Sequence, residues 1–132
     1  MPLMVKVPGV TPSNKKSMGV VNLIDMYPTL LDLCGLPENP ENEGRSFADL
    51  IRNPDMDWSE PTLTDYGYGG HRIYDGRYSY IVFSEMGAEE LYDHQADPME
   101  WHNLVSNPEY AEVKARLKSY VPSEREPESP QN

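Results

Sequence analysis

Residues 62–92, TLTDYGYGGHRIYDGRYSYIVFSEMGAEELY, decide the fold. Four runs rich in β-branched and aromatic residues, Thr62–Tyr66, Arg72–Tyr74, Tyr78–Phe83 and Glu90–Tyr92, are separated by glycine-bearing turns at Gly67–Gly70, Asp75-Gly76 and Gly87. Spacing this tight joins antiparallel neighbours and leaves no room for a crossover helix. Tyr78, Tyr80 and Val82 alternate with Ser79, Ile81 and Phe83, so both faces of the third strand carry bulk and one of them packs on a helix. That helix follows in sequence. Asn107 caps it, Pro108 takes its first position, and Tyr110, Val113, Leu117 and Tyr120 mark its buried face.

Upstream, Leu3–Val7 reads as a short strand ending at Pro8-Gly9 and needing neighbours from elsewhere. From Asn22 to Cys34 the apolar positions Leu23, Ile24, Tyr27, Leu30, Leu31 and Cys34 recur at helical spacing and predict one buried face. Pro28 is tolerated if the helix starts near Asp25, and Gly35 with Leu36-Pro37 supplies the stop. Ser46, with Asp49 three residues on, predicts the cap of a short helix whose Phe47, Leu50 and Ile51 face a core. Trp58 reads as a packing anchor over the polar connection that follows. Beyond Tyr120 the chain ends in PSEREPESPQN, which has too little apolar surface to offset ordering entropy; residues 122–132 are expected to be a disordered tail.

Composition narrows the function. A formal net charge of -11 repels polyanions, which argues against nucleic acid as a partner. No apolar run approaches the roughly 20 residues a membrane-spanning helix needs, and the first residues show no export signal, so no membrane partner and no address are read from the chain. Thirteen prolines and nine glycines imply short elements and many turns. The single cysteine, Cys34, excludes an internal disulfide framework.

Four collinear segments carry a resemblance. VVNLIDMYPTLLDLCGLP (20–37) is similar to the sulfatase pattern D-x-x-P-T-L-L-D-L-x-G-L-P, matching at Asp25, Pro28, Thr29, Leu30, Leu31, Asp32, Gly35 and Pro37. Gly44-Arg45-Ser46 resembles that family's G-R-S-L helix start, HRIYDGRYSYI (71–81) its paired strands, and ELYDHQADPMEWHNL (90–104) its closing signature. Asp93-His94, Glu100-Trp101 and Asn103-Leu104 look closest to the iduronate-2-sulfatase and choline-sulfatase-like branch. Two positions depart from the pattern: Tyr74 and Ser79 stand where relatives commonly have arginine, with Arg72 and Arg77 nearby.

The resemblance implies the C-terminal portion of a sulfatase of the alkaline-phosphatase superfamily, α/β overall and α+β for this piece. Residues 1–35 would be the edge of the large α/β domain and 36–121 a small subdomain with an antiparallel sheet and a helix. It implies a parent enzyme that hydrolyses a sulfate ester, of a small molecule or glycan, with calcium and a formylglycine made from C/S-x-P-S-R. Parents of this family are often periplasmic, secreted or lysosomal. None of that machinery is expected within these 132 residues, so the chain alone is expected to be inactive, without catalytic residues, and to need the N-terminal sulfatase domain as a partner. Cys34 lacks the C/S-x-P-S-R context and, on its apolar helical face, is expected to be a buried structural thiol. Asp93, His94, Asp97, Glu100 and His102 are metal-compatible types, but their spacing fits no ligand motif, and turn and capping chemistry explains them better; no metal site is assigned. Tyr68, His71 and Arg72, at the end of the Tyr66–Gly70 loop, are the candidate substrate-binding residues, because a glycine-rich, tyrosine-bearing loop suits a pocket rim. Two other readings stand beside this one: a non-catalytic acidic interaction module with a sulfatase-derived fold, and the tail of a phosphodiesterase or phosphonate hydrolase of the same superfamily.

Overall fold

The computed structural model describes residues 2–67 and 69–122 and divides into two compact units between Glu60 and Pro61. Met1, Tyr68 and all of the expected tail except Pro122 lie outside the described residues.

In the first unit, Leu3–Val7 does not form the expected strand. Leu3, Met4 and Val5 are exposed, and the chain passes straight into a turn in which Val10 and Thr11 donate to the Val7 carbonyl at 3.0 Å. A strand this short has nothing to pair with among the described residues. A 3₁₀ turn, Leu23–Asp25, leads into helix α1, Met26–Leu33. Pro28 falls in its first turn, where the missing N–H costs nothing. The helix ends as the sequence requires: Gly35 adopts φ 65°, its N–H reaches the Asp32 carbonyl at 3.1 Å, and Leu36 N–H reaches Leu31 at 2.9 Å. This pair of bonds satisfies two carbonyls that the helix end would otherwise orphan.

The buried face of α1 is a correction to the sequence reading. Leu23, Ile24, Tyr27 and Leu30 are between 48% and 70% exposed, and Cys34 is exposed as well, so it is not a buried thiol. Asp25 and Thr29 are buried instead, with Met26 and Leu33 packed on the cluster Phe47, Leu50 and Ile51. Hydrogen bonding decides the rotation. Asp25 Oδ1 accepts from Arg45 N–H at 2.9 Å and Oδ2 from Asn22 N–H at 2.8 Å. Thr29 Oγ1 donates to the Asp25 carbonyl at 2.6 Å and accepts from Phe47 N–H at 3.0 Å. Leaving those loop N–H groups buried and unpaired would cost about 1–3 kcal/mol each, and only the polar side of α1 can serve them. Gly44 permits the approach, since a Cβ there would lie 2.2 Å from the Ile24 carbonyl oxygen.

Helix α2, Ala48–Arg52, begins two residues after Ser46 rather than one, with Phe47 at the cap position. Ser46 still serves it: its hydroxyl accepts from Ala48 N–H at 3.2 Å and donates to Asp32 at 2.9 Å. Phe47, Leu50 and Ile51 are buried as expected. Trp58 is the expected anchor, packing on that cluster and donating its indole N–H to the Val20 carbonyl at 2.9 Å.

The second unit is a four-stranded antiparallel sheet in the order β1-β2-β3-β4: Thr62–Gly67, Gly70–Tyr74, Tyr78–Phe83 and Ala88–Asp93. Ile73, Tyr80 and Leu91 lie opposite one another across three strands and are fully buried. Helix α3, Ala111–Lys118, covers them with Leu117, also fully buried and worth about 1.5–3 kcal/mol by area. Asn107 caps as read, accepting from Glu109 N–H at 3.1 Å, but Pro108–Tyr110 is a 3₁₀ turn, so the regular helix starts at Ala111. Tyr110 and Val113 pack on the core; Tyr120 lies past the helix end and is 43% exposed, contrary to the sequence reading. Among the described residues no helix is long and apolar enough to cross a membrane.

Candidate functional site

The segment following β4 is built from carboxylates and amides that bind local N–H groups. Asp93, 1% exposed, receives Arg77 at both oxygens, Nε to Oδ1 at 3.0 Å and Nη2 to Oδ2 at 2.7 Å, and also Gln95 N–H at 3.0 Å. The Arg77 guanidinium holds its carboxyl below the usual aspartate range. Asp97 accepts from His102 N–H at 2.8 Å. Asn103 does a strand's work on the outer edge of β4: its Oδ1 accepts from Leu91 N–H at 3.0 Å, its Nδ2 donates to the Glu89 carbonyl at 3.3 Å, and Leu104 N–H donates to the Leu91 carbonyl at 2.8 Å. The open edge of the sheet is thereby paired, which blocks strand addition there. The turn-and-cap reading of this segment therefore stands on identified bonds.

Glu100 is different. It sits at φ 56°, a left-handed conformation that costs a residue other than glycine roughly 1–2 kcal/mol. Its Oε1 takes both His94 Nε2, at 2.6 Å, and Arg72 Nη2, at 3.1 Å. Arg72 also donates through Nε to the fully buried Ser79 hydroxyl at 2.9 Å. The Tyr74 ring completes the cluster, 5.1 Å from the His94 ring centroid and 5.5 Å from the Arg72 guanidinium carbon.

The sheet register places the residues singled out from the sequence. Arg72 lies opposite Ile81, and Tyr74 opposite Ser79, so Arg72, Tyr74 and Ser79 share one face. Arg72 thus stands on the same side as the two positions that depart from the sulfatase pattern, whereas Arg77 is committed to Asp93. His71 lies opposite Val82 on the other face, the one covered by α3, and its Nδ1 is buried with no hydrogen-bond partner among the described residues. One residue apart on a strand, His71 and Arg72 cannot converge on one ligand. Tyr68 lies outside the described residues, but the loop that carries it is defined on both sides by Gly67 at φ 73° and Gly69 at φ 69°.

Sequence reasoning missed a second ionic cluster. Glu89 receives Tyr80 Oη at 2.8 Å and Lys118 Nζ at 2.7 Å and pairs with Lys114. Lys114, Lys118 and then the Tyr80 hydroxyl pull its carboxyl down to about 2, while burial and Glu89 push the Tyr80 phenol up. The helical spacing of Lys114 and Lys118 was legible; their common target on β4 was not. A depression of about 390 Å³ opens beside this cluster, lined by Val82, Ser84, Gly87, Val121 and others. Among the described residues no three His, Cys, Asp or Glu side chains are placed to hold a metal ion.

Comparison with known proteins gives a consistent picture. The family model for the C-terminal region of N-sulphoglucosamine sulphohydrolase matches residues 1–126. A sulfatase of Formosa agariphila is 32% identical over 111 residues, covering 84% of this chain and 22% of that protein. The Delta 4,5-hexuronate-2-O-sulfatase of Bacteroides thetaiotaomicron is 34% identical over 110 residues, covering 74% of this chain and 23% of its own length. The crystal structure of a putative sulfatase from Bacteroides thetaiotaomicron superposes with a TM-score of 0.57 at 31% identity, over 72% of this chain and 22% of that one. The chain thus spans less than a quarter of the length of these relatives.

Proposed function

Because this chain belongs to the sulfatase family, through the C-terminal region of N-sulphoglucosamine sulphohydrolase, we propose that it serves as the C-terminal part of a sulfuric ester hydrolase acting on a sulfated carbohydrate. The observation that carries the reading is the apolar stripe of the first unit. Leu23, Ile24, Tyr27 and Leu30 lie exposed along one side of the 3₁₀ turn and α1, while the helix spends its polar side on its own chain. An exposed apolar stripe of this kind marks an interaction surface, and the large α/β domain of a sulfatase is the partner we assign to it. The name of the hexuronate-2-O-sulfatase relative supports a carbohydrate as substrate.

In this proposal residues 1–35 belong to the edge of that large domain and 36–121 to the small subdomain, with Tyr68, His71 and Arg72 at the rim of the substrate pocket. His71 and Arg72 lie on opposite faces of β2, so only one of them would touch the substrate directly; we assign that contact to Arg72, and to His71 a place behind it on the face that α3 covers. Calcium and formylglycine, implied for the parent enzyme, do not fit the residues of this chain. No three metal-compatible side chains converge among the described residues, and Cys34 is followed by Gly35-Leu36-Pro37. Both would be supplied by polypeptide outside these 132 residues, and no step of hydrolysis is assigned to a residue here.

The test is reconstitution. The chain is joined to the large domain of a sulfatase that carries C/S-x-P-S-R, and hydrolysis of an aryl sulfate and of a sulfated disaccharide is measured with calcium present. Activity that depends on the added 132 residues, together with loss of hydrophobic-dye binding on assembly, is the expected result. A chain that stays monomeric, binds no dye and restores no activity would favour the non-catalytic interaction module instead.

A further inference from the structure

Arg72, His94 and Glu100 form a cluster at the surface rather than in the core, with side chains 30%, 23% and 31% exposed. Two donors from different elements, β2 and the segment after β4, converge on a single oxygen, Glu100 Oε1. The guanidinium is fixed from behind by the Ser79 hydroxyl, and Tyr74 packs against the side chains of both donors. The donors are therefore preorganised, and what fills the space between them is the carboxylate of a residue whose φ of 56° suits glycine better. Nothing in the backbone at Glu100 favours that residue; only its two side-chain bonds do. The neighbouring carboxylates are already engaged, Glu90 by the Tyr92 hydroxyl at 3.0 Å and Asp97 by His102 N–H.

We infer that Arg72 and His94, with Ser79 holding the guanidinium in place, form an oxyanion site that the chain occupies with its own Glu100, and that a sulfate group of a sugar substrate competes with Glu100 for it. An oxygen of a sulfate can take the two hydrogen bonds that Oε1 now takes, and a guanidinium is well suited to it. The choice of sulfate rests on the function proposed above; the presence of an oxyanion site does not. Because Glu100 is tethered, it acts as an internal competitor at an effective concentration on the order of millimolar, which keeps the site closed to dilute anions.

The test uses the full 132-residue chain, its Glu100→Gly and Glu100→Gln variants, and each combined with Arg72→Lys. Ring signals of His94 are followed by NMR while sodium sulfate replaces sodium chloride at constant ionic strength, with sodium acetate as a parallel arm. Glycine relieves the left-handed φ, and glutamine keeps the side-chain volume, so at least one variant retains the loop. The expected result is sulfate binding at least about tenfold tighter in a Glu100 variant than in the original chain, confined to His94 among the three histidines and lost on Arg72→Lys. Equal affinity with and without the Glu100 carboxylate, binding that survives Arg72→Lys, or binding of acetate but not sulfate would overturn the inference. Since no hydrolysis is measured, its failure leaves the reconstitution test of the sulfatase reading untouched, and the reverse also holds.

Discussion

Helices α1 and α3 are each eight residues long, yet they treat their own units in opposite ways. Helix α3 buries Leu117 against the sheet and turns its Arg and Lys side chains outward, where Arg116 meets Asp75 at 2.6 Å and Lys118 meets Glu89. Helix α1 buries Thr29, with Asp25 just before it, and shows Leu30 and Tyr27 to solvent. The second unit is thus an ordinary amphipathic construction whose core closes on itself. The first is held by polar bonds on one side and keeps its apolar side for something else. Two pieces of one short chain therefore differ in what they cover: the sheet unit closes its apolar core with α3 and the segments around it, whereas α1 leaves its apolar side exposed.

That contrast can be broken from either side. The largest effect is expected for Leu117→Ala, which removes a fully buried side chain from the core of the second unit and should destabilise it by about 2–5 kcal/mol. Hydrogen exchange measured unit by unit checks it: amides of β2 and β3 should lose protection, and the Arg45 and Phe47 amides should keep theirs. Gly44→Ala probes the other unit with a somewhat smaller effect. Its Cβ would lie 2.2 Å from the Ile24 carbonyl oxygen and 2.6 Å from its carbon, both backbone atoms that cannot swing away, so a loss of about 1–3 kcal/mol is expected. The Arg45 and Phe47 amides should then exchange first, with the sheet unchanged. Identical effects of both substitutions on both units would show that the two share one stability.

The sheet was legible in residues 62–92 because turn glycines and alternation are local signals, and β3 has the bounds read from the sequence, Tyr78–Phe83. The sulfatase segments were legible too, but their reason was not. Asp25, Thr29 and Asp32 on one segment bind Arg45, Phe47 and Ser46 on the other, so the D-x-x-P-T and G-R-S patterns are two halves of one polar joint. Periodicity located the apolar side of α1 but not the side that its own unit buries, because it counts hydrophobicity and cannot see that backbone N–H groups about 20 residues away need acceptors. Cys34 was misplaced with that face. The candidate site divides in the same way: strand alternation already separates His71 from Arg72, whereas the convergence of Arg72, His94 and Glu100 depends on a left-handed residue that no sequence period announces.

The smallest effect is the most informative about the contrast. Replacing Leu23 and Leu30, 70% and 54% exposed, by lysine should change the stability of the isolated chain by no more than about 0.5 kcal/mol each, because exposed side chains contribute little packing. For α3 the equivalent experiment, a lysine at Leu117, would destroy the core. If α1's apolar stripe is a docking surface, the double lysine variant should show weaker binding of a hydrophobic dye and less aggregation than the original chain while failing to assemble with a sulfatase large domain. The sign of the stability change separates the possibilities. A loss of several kcal/mol in the isolated chain would mean that Leu23 and Leu30 already pack inside it, and the difference between the two helices would then be one of degree. A neutral change with assembly lost would mean that the stripe contributes to a contact outside the first unit, as proposed, and nothing to the unit itself.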